Sequence, residues 1–452
     1  MEAMVAAQRR WFRQGKTLPA AARKRALDRL EAGLRARENQ FYAALRKDLN
    51  KHPFEAYETE LGIVFSELRY AKAHLHQWMK PEHAHTPLTH FPSRSRIYQD
   101  PYGVVLILAP WNYPVQLTLV PLISALAAGN CAVLKPSAYA PAVSALLAEL
   151  IADVFPPSYV TVVEGGRAEN TALLEQRFDY IFFTGSPEVG KTVMAAAARH
   201  LTPVTLELGG KSPVIVAGDA DLELAAHRIV WGKFLNAGQT CVAPDHVWVR
   251  PEQRDGLVRR MEKYIVKFYS ETPLNGEDLP KIINEKHFER LQRLLNSGRT
   301  AWGGRIDPAR LRIEPTVLVD VTEDDPVMGE EIFGPILPVL TYESLDGLIA
   351  HLQEKEHPLA LYLFTRSREA ERKVLQNLRF GGGCVNDAVV HLATSHMPFG
   401  GVGNSGMGRC HGKFGFDTFT HPKSVLKKGW LDVPVRYPPY RESRIGLLKK
   451  LM

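Results

Sequence analysis

Apolar residues along this chain follow two different periods, and the change from one to the other predicts the fold. Over residues 3–80 they recur at helical spacing, with breaks near 15–19 and 52–53, which predicts a layer of helices. Short continuous apolar runs then alternate with helical segments, at 104–109, 131–134, 159–163 and 180–183. Runs of this kind are typical of buried parallel strands in βαβ units. We therefore expect an α/β protein with a parallel sheet within residues 99–208.

A second series of strands and helices follows residue 208. Apolar runs occur at 214–216, 246–249, 317–319 and 359–364, with helical segments between them that include 253–269 and 286–295. We predict a second α/β domain over residues 209–404, beside a first domain that comprises 1–80 and 99–208.

The remaining segments, 81–98 and 405–452, have a different character. Residues 81–98 are rich in His, Pro, Thr and Ser and are consistent with a linker or an exposed hairpin, and a candidate strand lies near 424–426. Because an exposed strand pair usually joins another chain, we predict that both segments bridge subunits. The tail Ile445–Met452 is short, basic and apolar, so weak contact with a membrane surface stands beside docking on a partner subunit as an alternative.

Composition narrows the class of protein. Hydrophobic residues make up 45% and charged residues 23%, as in soluble globular proteins, and the net charge of +7 is too thinly spread to predict nucleic-acid binding. No apolar run reaches about 18 residues, and the N terminus lacks a secretory signal, so we expect no membrane span. The cysteines are Cys131, Cys241, Cys384 and Cys410. Their wide spacing without a CxxC pair favours free thiols in a reducing cytoplasm over disulfides or a zinc site.

Polar residues follow several of the predicted strands. Asn112, Lys135 and Gly185 come after three of the apolar runs in the first series. The carboxyl ends of parallel strands meet at one edge of a sheet, where such sheets bind ligands. We expect these residues to face one crevice.

Cys241 stands directly after a helix-stop signal, Asn236-Ala-Gly238, among small and polar residues. Such a position can leave the sulfur accessible beside backbone N–H groups, where the pKa of a thiol falls and the thiolate becomes a nucleophile. Taken alone, a cysteine is more often a small buried apolar residue. Cys241 is therefore a candidate nucleophile only in combination with other motifs.

Residues 185–192, GSPEVGKT, satisfy the Walker A pattern between a strand and a helix, so a P-loop NTPase is an alternative function. Pro187 removes an N–H group that a phosphate nest needs, and Glu188 places a carboxylate near the phosphates. A turn that receives the pyrophosphate of a dinucleotide fits the same residues.

Seven motifs occur in a fixed order along the chain. They are PWNYP at 110–114, LKPS at 134–137, FTGSPEVGK at 183–191, TLELGGKSP at 205–213, GQTCVAPD at 238–245, EEIFGP at 330–335 and PFGGVGNSGMG at 398–408. Together they resemble the aldehyde dehydrogenase superfamily, most of all its class 3 branch, over essentially the whole chain. The resemblance implies a Rossmann-like parallel-sheet cofactor domain, a second α/β catalytic domain and a small oligomerisation hairpin. It also implies a homodimer that oxidises hydrophobic aliphatic or aromatic aldehydes with NAD or NADP and without a metal.

The same resemblance assigns catalytic roles. Cys241 would add to the aldehyde to give a thiohemiacetal, and the side-chain amide of Asn112, with the Cys241 N–H, would hold the oxyanion. Loss of hydride would leave a thioester, which water activated by Glu207 would hydrolyse. Outside these motifs, Asn112 would be explained as a turn residue and Glu207 as a salt-bridged strand end.

Cofactor and substrate residues follow in the same way. The pyrophosphate would meet Gly185, Ser186 and Gly190, the adenosine ribose Lys135, and the nicotinamide ribose Glu331, with Phe333 beside the ring. Tyr113 and Phe399 would line the aldehyde tunnel, although aromatic residues more often serve packing alone. Cys131, Cys384, Cys410 and His391 are expected to be structural.

Ala138 departs from the family pattern. Many NAD-preferring members carry a glutamate three residues after the lysine that corresponds to Lys135, where it would repel a 2′-phosphate. Its absence predicts use of NADP as well as NAD. Two further alternatives are a relative that passes the thioester to coenzyme A or phosphate, against which Glu207 argues, and a crystallin-like structural protein.

Overall fold

The structure, a computed structural model, describes residues 1–432 and 437–451. Its N-terminal layer is helical, as the spacing predicted. The helices are α1 (Glu2–Arg13), α2 (Ala20–Arg35), α3 (Glu38–Leu49), α4 (Pro53–Ala56) and α5 (Gly62–Trp78). Gly15, with φ of 68°, lies in the first break, and the His52 side chain caps α4 at the second. Between α4 and α5 the chain makes a π-helical turn, Tyr57–Leu61.

Residues 81–98 form a hairpin, which was one of the two predicted alternatives, and not a linker. Strands β1 (Glu82–Ala84) and β2 (Ser93–Pro101) pair antiparallel, with Glu82 opposite Ile97.

The first sheet is built from the predicted βαβ units. Its elements are β3 (Val104–Leu108), α6 (Gln116–Ala128), β4 (Cys131–Lys135), α7 (Pro141–Val154), β5 (Val160–Val162), α8 (Arg167–Leu174), β6 (Tyr180–Thr184), α9 (Pro187–Ala198) and β7 (Val204–Glu207). These strands are parallel, in the order β7-β6-β3-β4-β5. From β3 the chain adds β4 and β5 on one side of that strand, and it then adds β6 and β7 on the other side. The direction in which strands are added therefore reverses beside β3. Ligands bind at such reversals.

The second sheet lies within residues 213–385. Its part of the chain contains β8 (Pro213–Val216), α10 (Leu222–Phe234), β9 (His246–Val249), α11 (Pro251–Tyr269), α12 (Glu285–Leu294), β10 (Arg299–Trp302), β11 (Ile306–Asp307), β12 (Arg312–Ile313), β13 (Thr316–Val319), α13 (Pro326–Gly329), β14 (Ile336–Thr341), α14 (Leu345–Gln353), β15 (Ala360–Phe364), α15 (Arg368–Asn377) and β16 (Gly382–Val385). The order is β10-β13-β14-β9-β8-β15-β16, parallel except for β10 against β13. β11 and β12 pair separately.

The C-terminal segment contributes to two sheets. It contains β17 (Gly406–Met407), α16 (Gly412–Thr418), β18 (Thr420–Lys428) and α17 (Ile445–Leu451). β17 adds antiparallel to β7, and β18 pairs antiparallel with the whole of β2. Residues 433–436 and Met452 of the predicted bridging segment lie outside the described residues, and the domain boundaries given above stay a prediction.

A cleft lies between the two large sheets. The loops that follow β3 and β7, at the carboxyl edge of the first sheet, approach the loops that precede β9 and β14, at the amino edge of the second. None of the helices in the described parts of the chain has the length and apolarity of a membrane span.

Candidate active site

The turn that carries Cys241 has an unusual backbone. α10 ends at Phe234, and the next turn holds Asn236 and Ala237 at φ of 52° and Gly238 at 72°. A Cβ at Gly238 would lie 2.2 Å from the carbonyl oxygen of Gly334, so only glycine fits there. Left-handed residues such as Ala237 cost about 1–2 kcal/mol each. This local strain turns the chain sharply and brings Cys241 to the cleft.

Hydrogen bonds hold this turn in place. The Gln239 side chain donates to the carbonyl of Lys281 at 3.0 Å and accepts from the N–H of Ile283 at 3.0 Å. On the other side of the thiol, the Tyr362 hydroxyl donates to the carbonyl of Val242 at 2.5 Å. The backbone is therefore fixed both before and after Cys241.

The surroundings of the thiol contradict one expectation from the sequence. Backbone N–H groups of Cys241 and Val242 do lower its pKa, as predicted, but burial raises the pKa more, and the carboxylates of Glu331 and Glu207 raise it further. The net effect is a pKa above the usual range, where a fall was expected. The expectation was wrong because the half-buried thiol faces two acidic side chains that are far away in sequence. A base must therefore take its proton.

Glu207 ends strand β7 and lies within the cleft. It is 3% exposed, and burial raises the pKa of its carboxyl. The Thr184 hydroxyl donates to one carboxylate oxygen at 3.4 Å, while Oε1 has no hydrogen-bond partner among the described residues. An unpartnered buried carboxylate oxygen is poised to accept a proton or to orient a water molecule.

Asn112 follows β3 and reaches across to the turn that carries Cys241. Its side-chain nitrogen donates to the Gln239 carbonyl at 3.1 Å. Since an amide NH₂ group carries two hydrogens, the second is not used by this bond, and the predicted contact with an oxyanion stays a prediction. The Asn112 carbonyl in turn accepts from Lys51 at 3.2 Å and from Asn236 at 2.9 Å.

Lys51 and Glu60 support Asn112 from the N-terminal helices. Their side chains are both 0% exposed and form an ion pair at 2.8 Å. Glu60 also accepts from the N–H groups of Val115 and Gln116 at the start of α6, at 2.9 and 3.0 Å. Removal of one member of a buried ion pair typically costs about 3–5 kcal/mol. The pair therefore ties the loop after β3 to the helical layer.

A cavity of about 160 Å³ connects the thiol to the surface. It contains both Cys241 and Glu207, together with the predicted substrate residues Tyr113 and Phe399. The Tyr113 hydroxyl bonds to Thr240 at 2.6 Å. The remaining wall is mostly apolar: Ile63, Leu117, Val120, Pro121, Trp231, Leu235, Val242, Val389, Val390, Leu392 and Ala393. Cys410, expected to be only structural, also lines this cavity.

The predicted pyrophosphate turn follows β6. A Cβ at Gly185 would lie 2.5 Å from the Phe183 ring, so a side chain there would not fit. Ser186 caps α9 by accepting from the Val189 N–H at 3.5 Å. Gly190 is buried, and a Cβ there would lie 2.7 Å from the Leu208 side chain. Gly190 thus has a packing role that the sequence prediction did not include, and its contact with pyrophosphate stays a prediction.

Lys135 ends β4 on the same edge. Its ammonium group donates to the carbonyls of Gly165 at 2.6 Å and Pro136 at 2.8 Å, and burial lowers its pKa. Because a lysine ammonium carries three hydrogens, one remains for a ribose hydroxyl. Ala138, three residues on, is exposed. These donors fit the adenosine half of a dinucleotide.

Glu331 faces the residues before β8. A Cβ at Gly209 would lie 1.9 Å from its Oε2 atom, and the Gly210 N–H lowers its pKa. Burial and the neighbouring Asp245 outweigh that effect and raise the pKa of Glu331 to about 8. A buried carboxyl in this setting can accept hydrogen bonds from ribose hydroxyls.

Charged side chains that carry no role in the sequence prediction hold the loop around Glu331. Lys211 donates to the Glu330 carbonyl at 2.8 Å and pairs with Asp245 at 2.6 Å. Asp245 accepts from the Ile332 N–H at 2.9 Å, and Arg290 donates to the Ile332 carbonyl at 2.6 Å. The loop is thus anchored on both sides.

Phe333 adopts φ of 48° and packs edge-on against Trp111, with ring centroids 5.4 Å apart. Trp111 directly precedes Asn112, so the two predicted sites share one wall. Within the described residues, no cluster of His, Cys, Asp and Glu could hold a metal ion.

Comparison with known proteins shows to which family the chain belongs. The model of the aldehyde dehydrogenase family matches residues 1–425. The chain belongs to the aldehyde dehydrogenase family. It is 47% identical to 4,4'-diaponeurosporen-aldehyde dehydrogenase of Staphylococcus aureus over 95% of each chain. It is 48% identical to human aldehyde dehydrogenase family 3 member B1, over 97% of this chain and 94% of the human one.

Solved structures agree with the sequence relatives. The substrate-bound state of Staphylococcus aureus AldH superimposes with a TM-score of 0.98 at 45% identity, covering 100% of this chain and 99% of that one. An aldehyde dehydrogenase of Mycobacterium tuberculosis complexed with NAD+ gives a TM-score of 0.85 at 30% identity, covering 95% and 90%. The predicted family and fold are confirmed, and the aldehyde dehydrogenase is an oxidoreductase that acts on aldehydes.

The NTPase alternative is not supported. In the aldehyde dehydrogenase, Lys191 pairs with Glu188 at 3.1 Å on an exposed face of α9, with 67% and 84% of the two side chains exposed. A Walker lysine would instead reach back to the phosphates.

Proposed function

We propose that the aldehyde dehydrogenase oxidises hydrophobic aldehydes to carboxylic acids with NAD+ or NADP+ through a covalent adduct on Cys241. The observation that carries the proposal is that Cys241 and Glu207 line one mostly apolar cavity. An apolar cavity accepts the hydrocarbon part of an aldehyde, and the two polar groups lie where its carbonyl would react.

The first step is attack of the thiolate on the carbonyl carbon. Because the pKa of the Cys241 thiol is raised, Glu207 or a water molecule bound to it takes the proton. The carbonyl oxygen becomes an oxyanion held by the second N–H of Asn112. A donor of this kind is typically worth about 3 kcal/mol in the transition state.

A bound NAD(P)+ supplies the hydride acceptor for the oxidation. Lys135 and Ser186 would hold its adenosine and pyrophosphate groups, and Glu331 and Phe333 its nicotinamide half. The donors of Lys135 and the bare backbone of Gly185, where a side chain would not fit, suit such a ligand. The chain's own part is to orient the adduct and to keep bulk water out of the buried cavity.

The second step is hydrolysis of the thioester. After the thiol proton has passed from Glu207 to solvent, the carboxylate, through its unpartnered Oε1 atom, would orient a water molecule and accept its proton. The C–S bond then breaks, and Cys241 leaves as the thiolate. Water is thereby preferred over coenzyme A or phosphate as the acceptor. The cavity and the buried carboxylate also argue against a purely structural role.

The choice of cofactor rests on Ala138. Its small, exposed side chain places no carboxylate where it would repel a 2′-phosphate, which supports use of both NAD+ and NADP+. The exposed edge strand β18 supports a homodimer, and four cysteines without a disulfide support a reducing, cytoplasmic location.

A steady-state screen tests the proposal. Aliphatic aldehydes of increasing length and an aromatic aldehyde are assayed with each cofactor, with and without coenzyme A, and the product is identified. We expect kcat/KM to rise with hydrophobicity, both cofactors to work, and free acid to form. A preference for NAD+ above roughly a hundredfold would refute dual use, and formation of an acyl-coenzyme A would refute hydrolysis.

A further inference from the structure

The mouth of the substrate cavity carries a negatively charged side chain, Glu58. Most residues that line the cavity are buried or half-buried, but Glu58, Val390 and Ala393 are exposed, so they form its opening. Glu58 belongs to the π-helical turn Tyr57–Leu61 and lines the cavity. Turns of this type interrupt helices mainly at functional sites.

The charge on Glu58 is not compensated. Partial burial of the carboxyl raises its pKa although the residue as a whole is exposed, and no basic group contributes to the shift. Within residues 1–432 and 437–451, no Lys, Arg or His forms an ion pair with it. The other ionisable lining residues are Tyr113, Glu207, Cys241, Cys410 and His411. His411 is itself paired with Glu67 at 3.1 Å, so the cavity offers an anionic ligand no free cation.

We propose that Glu58 is a specificity-determining residue, which selects aldehydes with a neutral or cationic far end and rejects those with a far-end carboxylate. The inference rests on the proposed function and narrows its substrate class. An aldehyde bound with its carbonyl at Cys241 extends its chain along the apolar wall toward the mouth. A carboxylate at the far end of that chain would lie near Glu58 at the mouth. Solvent is partly excluded there, so like charges repel more strongly than in bulk water.

Matched substrate pairs isolate this effect. A nine-carbon aldehyde with a terminal carboxylate is compared with its methyl ester at pH 8, in the wild type, Glu58→Gln and Glu58→Lys. Glu149→Gln, an exposed glutamate on α7, is the control. The measured quantity is the ratio of kcat/KM for the acid to kcat/KM for the ester.

We expect Glu58→Gln to raise the ratio about fivefold and Glu58→Lys to raise it further, with the ester changing less than about twofold. Added salt at about 1 M should narrow the difference between the wild type and Glu58→Gln, because exposed charges are screened. Glu149→Gln should leave the ratio unchanged. An equal ratio in wild type and Glu58→Gln would overturn the inference.

A binding measurement separates this inference from the proposed function. Dissociation constants of the unreactive nine-carbon dicarboxylate and its dimethyl ester, measured by calorimetry, should show the same change in ratio without any turnover. If the ester aldehyde is not oxidised although the ratio of dissociation constants shifts in Glu58→Gln, the proposed reaction is wrong and the role of Glu58 in selectivity stands. If oxidation proceeds but neither the kcat/KM ratio nor the ratio of dissociation constants shifts, only the role of Glu58 is wrong.

Discussion

The hydroxyl of Tyr362 donates a 2.5 Å hydrogen bond to the backbone carbonyl of Val242, the residue that follows the proposed nucleophile. Tyr362 is 0% exposed, so loss of its hydroxyl would leave a buried carbonyl without this partner. We expect Tyr362→Phe to lower the free energy of unfolding by about 1–3 kcal/mol. It should also lower kcat roughly tenfold, because the nucleophile turn would shift.

Tyr342→Phe is the matched control. Its hydroxyl donates to the carbonyl of Val216 at 3.1 Å, in the same sheet but away from the cavity. Denaturant unfolding should show a comparable loss of stability with kcat unchanged. Equal loss of kcat in both variants would contradict a positioning role for Tyr362.

Cys241→Ser tests the nucleophile. A serine hydroxyl is far less acidic than a thiol, so the adduct should not form at a useful rate. We expect at least about a thousandfold loss of kcat, with cofactor binding retained by fluorescence titration. Cys384→Ser, on β16 and outside the cavity, should keep near wild-type activity. Turnover near the wild-type rate in Cys241→Ser would exclude the assignment.

Glu207→Gln tests the proposed base. An amide cannot accept the proton of water, so thioester hydrolysis should become rate-limiting. Stopped-flow absorbance should show a burst of reduced cofactor and then slow turnover, and activity should lose its rise with pH. That rise is expected in the wild type because a carboxyl with a raised pKa ionises only as pH increases. Absence of the burst would show that Glu207 acts before hydride loss.

Glu331→Gln should make the thiol more acidic. Burial and then the Glu331 carboxylate raise the pKa of Cys241, and a nearby anion disfavours the thiolate, so neutralising the anion lowers that pKa. The rate of alkylation by iodoacetamide at pH 8 should rise severalfold, and its pH profile should move to lower pH. Glu330→Gln, the exposed neighbour, should leave the profile in place. An unchanged profile in Glu331→Gln would contradict the coupling.

The three-stranded sheet predicts the oligomeric state. β18 is an edge strand, and its Val425 and Leu426 are 38% and 46% exposed. We expect light scattering at micromolar concentration to give about twice the mass of the chain, because the unpaired backbone N–H and C=O groups of an open edge strand pair with another copy. Leu426→Asp should weaken the dimer, whereas Leu201→Asp, at a 92% exposed position elsewhere, should not. A monomeric wild type would refute the dimer.

The sequence predicted the interior strands closely and the edge strand poorly. The apolar run 104–109 became β3, Val104–Leu108, because a strand buried on both faces needs apolar residues throughout. β18 was expected only near 424–426 but spans Thr420–Lys428. Its many polar residues carry no apolar signal, and its length is decided by the nine residues of β2 that it pairs with.

Prediction of the site from the sequence was limited in the same way as prediction of the edge strand. Motif order indicated Cys241 and Glu207, yet nothing in the sequence indicated Lys51 or Tyr362. Their partners Asn112 and Val242 lie 61 and 120 residues away, and no spacing rule connects them. The direction of the thiol pKa was missed for a related reason, because burial and two distant carboxylates are products of tertiary structure.

The bond from the Asn112 side chain to the Gln239 carbonyl joins the two halves of the molecule two residues before Cys241. If the halves were to separate, this bond would break, and under the proposed mechanism the oxyanion donor would leave the thiol. An aldehyde that entered before the halves had come together would then react slowly.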